Sequence, residues 1–79
     1  MDRKELRKKL LESDRIVIHD INDNLWEVET YSNANIYIDF TDPFCIKIRS
    51  TTPWNNDEWQ TTVSTCRDVL VLFHIFCGF

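Results

Sequence analysis

IYIDFTDPFCIKIRS, residues Ile36–Ser50, carries the pattern on which the fold turns. Ile36, Ile38 and Phe40 alternate with Tyr37 and Asp39. Phe44, Ile46 and Ile48 then alternate with Cys45, Lys47 and Arg49. Successive side chains of a strand point to opposite faces, so each run predicts a strand with one apolar, inward face and one polar face. Thr41-Asp42-Pro43 between them predicts a turn, where proline removes a ladder donor. A connection this short joins antiparallel neighbours.

Upstream, Leu25 to Tyr31 divides the same way. Trp26, Val28 and Thr30 share one face; Leu25, Glu27, Glu29 and Tyr31 share the other. Asn22-Asp23-Asn24 and Ser32-Asn33-Ala34-Asn35 supply the turns on either side. Arg15 to Ile21 reads as a further strand. Its consecutive β-branched residues Ile16, Val17 and Ile18 are apolar on both faces, which predicts a central or doubly covered position. Asp2 to Ser13 predicts a helix capped by Asp2, with Glu5 at capping-box spacing and a thin stripe of Leu6, Leu10 and Leu11.

Downstream, Thr51 to Asn56 predicts a loop around Pro53. From Asp57 on, Trp59, Val63, Cys66, Leu70, Phe73 and Cys77 recur at alternating steps of four and three. That period predicts one long helix facing the sheet, capped by Asn55 or Asn56 at its start and by Gly78 at its end. A strand through Trp59–Thr65 competes, because its β-branched residues alternate about as well. The persistence of the helical period favours the helix. The fold class expected is therefore α+β: an N-terminal helix, an antiparallel meander of three to four strands, and a long C-terminal helix packed on one sheet face.

The chain has 79 residues, which is the size of a single domain spanning 1–79. It is 43% hydrophobic and 28% charged, with one glycine and two prolines, so it is globular in composition, without linker-like stretches. The net charge of −4 is unevenly spread. Residues 1–15 carry +2, residues 16–46 carry −6 with no Lys or Arg, and residues 47–79 carry 0. A negative central block either favours basic partners and repels nucleic acid, or only solubilises an ordinary sheet face. The three cysteines and the charged N-terminal helix, which is unlike a secretory signal, point to free thiols and a cytoplasmic location. The apolar run Val69–Phe79 is too short for a membrane span and follows Arg67 and Asp68 directly.

Val71, Leu72 and Ile75 fall opposite the helical stripe. A domain this small has little apolar surface left to cover them, so they are candidates for an oligomer interface, possible in a homodimer. Asp20, Asp23, Glu27, Glu29, Tyr37, Asp39 and Trp54 are candidates for a partner-binding surface. Trp54 either anchors a partner or packs its loop inward.

Catalytic chemistry finds few components. His19, Asp20 and Cys45 are ordinary in a chain of this composition, and no nucleophile elbow or glycine-rich phosphate loop is present. Glu27 and Glu29 stand about 7 Å apart along one strand face, but a small open sheet offers no cleft to desolvate them. Cys66, His74 and Cys77, with Cys45 or His19, could in principle hold zinc, but no paired Cys-x-x-Cys occurs and the cysteines fall on the core stripe. No cofactor or metal is expected, and no enzymatic activity. The bases Arg3, Lys4, Arg7, Lys8 and Lys9 lack interleaved aromatics, so direct nucleic-acid binding is not expected either.

Size, acidity and the helix–meander–helix order together resemble small phage-encoded inhibitor proteins of the anti-CRISPR and anti-restriction type. The resemblance implies a non-enzymatic inhibitor acting in the host cytoplasm. Its acidic sheet face would dock the basic channel of a nuclease or nucleic-acid-binding complex. An immunity or antitoxin protein would use the same physics. A homo-oligomeric assembly protein using the apolar C-terminal helix is the alternative.

Overall fold

A computed structural model describes residues 1–30, 35–51 and 58–77. The elements run α1 (Arg3–Leu11), β1 (Val17–Asn22), β2 (Leu25–Glu29), β3 (Asn35–Asp39), β4 (Ile46–Thr51), β5 (Glu58–Val63) and α2 (Cys66–Cys77). The five strands form one antiparallel sheet in the order β1-β2-β3-β4-β5. The fold is α+β with a helix at each end of a meander, as the sequence predicts. No helix among the described residues is long and apolar enough to cross a membrane.

Local chemistry sets most of these boundaries. Asp2 caps α1, its Oδ1 accepting from the Glu5 amide at 2.9 Å. At the β1–β2 turn, Asn22 Oδ1 accepts from the Asn24 amide at 2.8 Å, and the register slips between Asp20 and Asn22 in a bulge. Asp39 and Asp42 each close a turn of the same kind, accepting from the amides of Thr41 and Phe44 at 2.8 Å.

One buried cluster joins both helices to one face of the sheet. Leu6 and Leu10 come from α1, and Val69 and Phe73 from α2. Trp26, Val28, Ile36, Ile38, Ile46 and Ile48 come from the strands, with Ile16 and Phe40 beside them. The strand contributors sit at alternate positions, as period two requires. Two arginines fasten α1 across this face. Arg3 donates to the carbonyls of Asp23 (3.0 Å) and Phe40 (3.3 Å) and to Asn24 Oδ1 (3.2 Å), and lies over the Phe40 ring. Arg7 makes a two-pronged pair with Asp20 at 2.7 and 2.9 Å and lies over Trp26.

The structure corrects the sequence reading in several places. The single long helix is in fact a strand followed by a helix: residues 58–63 form β5 against the edge of β4, and α2 begins only at Cys66. Thr65 caps it, its Oγ1 accepting from the Asp68 amide at 3.2 Å, in place of Asn55 or Asn56. The meander accordingly has five strands. β1 is an edge strand, with Val17 50% exposed, because the first strand of a meander has no earlier strand to pair with. Phe44 is 89% exposed, since the turn closed by Asp42 delays the strand to Ile46. Within α2, Val69 and Phe73 are buried and Leu70 only partly so. The loop around Trp54, the caps Asn55 and Asn56, the turn at 31–34 and Gly78 lie outside the described residues.

Candidate functional site

The face of the sheet opposite the helices has no buried residue at the described positions. Antiparallel pairing places directly opposite residues on the same face, so the register reads this surface row by row. One row runs His19 (β1), Glu27 (β2), Tyr37 (β3), Arg49 (β4) and Gln60 (β5). The row toward one end holds Val17, Glu29 and Asn35. Toward the other end, Leu25, Asp39, Lys47 and Thr62 follow one another.

Four of the seven candidate partner-binding residues therefore come together: Glu27, Glu29, Tyr37 and Asp39, on the adjacent strands β2 and β3. Asp20 does not join them. It pairs across the sheet with Trp26 on the helix-covered face, and its carboxylate is held by Arg7. Asp23 sits in the β1–β2 turn, where its carbonyl accepts from Arg3. Trp54 lies outside the described residues.

The sheet face is not uniformly acidic. Lys47 and Arg49 on β4 stand beside Asp39 and Tyr37, and the Arg49 guanidinium lies 4.9 Å from the centre of the Tyr37 ring. The acidic band occupies β2 and β3, with a basic band beside it. Desolvation, with the charge of Glu27 and a hydrogen bond to it, holds the Tyr37 hydroxyl above its ordinary pKa. Hydrogen bonds from Thr41 keep Asp39 below the usual carboxylate range.

At the β1 edge of the acidic band, His19 Nε2 lies 3.3 Å from Glu29 Oε1. With Glu27 these form a group whose donor atoms all lie within 4.8 Å of one another. The sequence contained the signal in the strand alternation of His19 and of Glu27 and Glu29. Only the β1–β2 register shows that the three converge.

Elsewhere, Val71 and Ile75 of α2 are exposed, while Leu72 is half-buried against the core. An open groove of 680 Å³ lies between α1 and α2, with Lys9, Glu12, Leu70, Val71 and His74 on its walls. Cys45 and Cys66 are free thiols, half-buried; burial pushes both up in pKa, and for Cys45 a hydrogen bond to Asp42 adds to the effect. Comparison with known proteins finds no matching family model, no similar curated protein and no similar solved structure.

Proposed function

We propose that the chain is a non-enzymatic binding protein that docks a basic protein surface through the acidic band of its open sheet face. The observation that carries this reading is the convergence of Glu27, Glu29 and Asp39 around Tyr37 on two adjacent strands. An aromatic ringed by charge is a common interface anchor, and like charges set side by side favour an oppositely charged partner. The adjoining cations Lys47 and Arg49 narrow the reading. They interrupt the continuous negative field that an imitation of nucleic acid needs, so the support is for a partner with its own mixed surface. Such a pattern sets orientation as well as attraction. An inhibitor of a nucleic-acid-processing enzyme, or an immunity protein, belongs to this class.

The test reverses Glu27 and Glu29 to Lys. Both are surface positions, whereas Asp39 is left intact because its carboxylate holds the Thr41 amide. The tagged protein is used to capture partners from its native host, with identification by mass spectrometry. A basic protein held by the wild type and lost with the double variant, at unchanged melting temperature, supports the reading. Equal capture by both proteins refutes it.

A second reading is favoured by the 67% exposure of Ile75, with Val71 exposed on the turn before it. Two such side chains at i and i+4 form an apolar patch on α2 beside the groove, suited to self-association. A mass that stays at that of a 9.5 kDa monomer in light scattering across a wide concentration range excludes it.

A further inference from the structure

The geometry points to a divalent transition-metal site on the open sheet face, formed by His19, Glu27 and Glu29. His19 on β1 is directly opposite Glu27 on β2, and Glu29 is two residues further along β2 on the same face. Opposite and diagonal neighbours on one face of an antiparallel pair have Cβ atoms about 5 to 8 Å apart. An imidazole and two glutamates span that triangle and meet above it. Donor atoms bound to a tetrahedral ion at about 2.0–2.2 Å lie roughly 3.4 Å from one another. His19 Nε2 and Glu29 Oε1 already have that spacing, at 3.3 Å, and Glu27 completes a set confined within 4.8 Å. A change of rotamer at an exposed side chain closes the remaining gap without moving the backbone.

The donor types select the ion. One imidazole nitrogen with two carboxylates suits zinc and its neighbours. Calcium takes six to eight oxygens, and magnesium keeps most of its waters. Three protein ligands leave at least one position for water or for a donor from another molecule. Two carboxylates and a neutral imidazole carry a charge of −2, which a divalent ion offsets. Tyr37 stands directly opposite Glu27 across the β2–β3 pair, beside that carboxylate and outside the metal's own ligands. The inference stands apart from the docking proposal: it needs no partner, and it is tested on the protein alone.

The full chain is titrated with Zn²⁺ by calorimetry at neutral pH, and Co²⁺ is used to map the site by its paramagnetic effects on amide resonances. The expected result is one ion per chain, with Co²⁺ effects centred on His19, Glu27 and Glu29 and no thiolate-to-cobalt charge-transfer band. His19→Ala and Glu29→Gln should each weaken Zn²⁺ binding at least about tenfold, since loss of even an outer partner of a metal ligand costs about 10–100-fold. The Co²⁺ map uses the unmodified protein, so it stands even if a variant misfolds. Unchanged affinity in His19→Ala overturns the inference. So do Co²⁺ effects centred on His74 or the cysteines, or the absence of any saturable binding.

Discussion

Truncating Phe73 and Ile75 in turn reads the rotation of α2 against the core. The two residues are two positions apart on one helix, but Phe73 is 2% exposed and Ile75 is 67% exposed. Removing a fully buried Phe side chain costs about 3–5 kcal/mol through lost transfer energy and the cavity left behind. A domain of this length is stable by only about 4–12 kcal/mol, so Phe73→Ala should consume a large part of the total. At about 4–8 °C per kcal/mol, its melting temperature should fall by more than about 12 °C. For Ile75, about a third of a side chain worth some 1.5–3 kcal/mol is buried, so truncation forfeits about 0.5–1 kcal/mol. Alanine's better helix propensity returns about half of that. The net change should stay within about 0.5 kcal/mol. The assay is urea unfolding followed by far-UV circular dichroism, repeated at several protein concentrations to separate folding from self-association. A Phe73→Ala cost below about 1 kcal/mol, or an Ile75→Ala cost equal to it at every concentration, would refute the placement of α2.

Two further outcomes can be checked. Asp20 is held below the ordinary carboxylate pKa chiefly by its hydrogen bonds from Arg7. A depressed folded-state pKa contributes stability that is present above the unfolded value of about 3.8 and lost as pH falls through the folded value. Asp20→Asn should therefore flatten the acid limb of stability against pH, as read by melting temperature; an unaltered acid limb would show that the pair has no such role. The Cys45 thiol, raised by burial and by Asp42, should alkylate more slowly at neutral pH than a free cysteine peptide, and Asp42→Asn should accelerate it. Mass spectrometry of iodoacetamide-treated protein follows the rate at Cys45, and equal rates in wild type and variant would count against the Asp42 contact.

Much of the architecture was legible because local rules suffice for it. The Asp2 cap is a contact between near neighbours in sequence, and the alternation of Trp26, Val28, Ile36, Ile38, Ile46 and Ile48 is fixed by the pleat itself. β5 was not legible, because Trp59–Thr65 fits a period of two and a helical stripe about equally. The edge of β4 decides between them, by giving the segment a ladder of hydrogen bonds. A signal for the break did exist: Thr65 and Asp68 have capping-box spacing just before the apolar run, with Asp in place of the usual Glu. The candidate site divides the same way. That Glu27, Glu29, Tyr37 and Asp39 face away from the core follows from alternation alone, whereas the withdrawal of Asp20 toward Arg7 does not.

The sequence by itself determined the fold class, the alternating core positions of β2, β3 and β4 and the polar character of the open face, because these depend on periodicity and turn chemistry within a few residues. Tertiary structure alone decided which charges meet. Counting along the chain gave an unbroken acidic block, but pairing set Lys47 and Arg49 beside it and brought His19 to Glu27 and Glu29. The physical reason is that cross-strand neighbours are fixed by register. Register depends on hydrogen bonds between segments distant in sequence, and no local spacing encodes it.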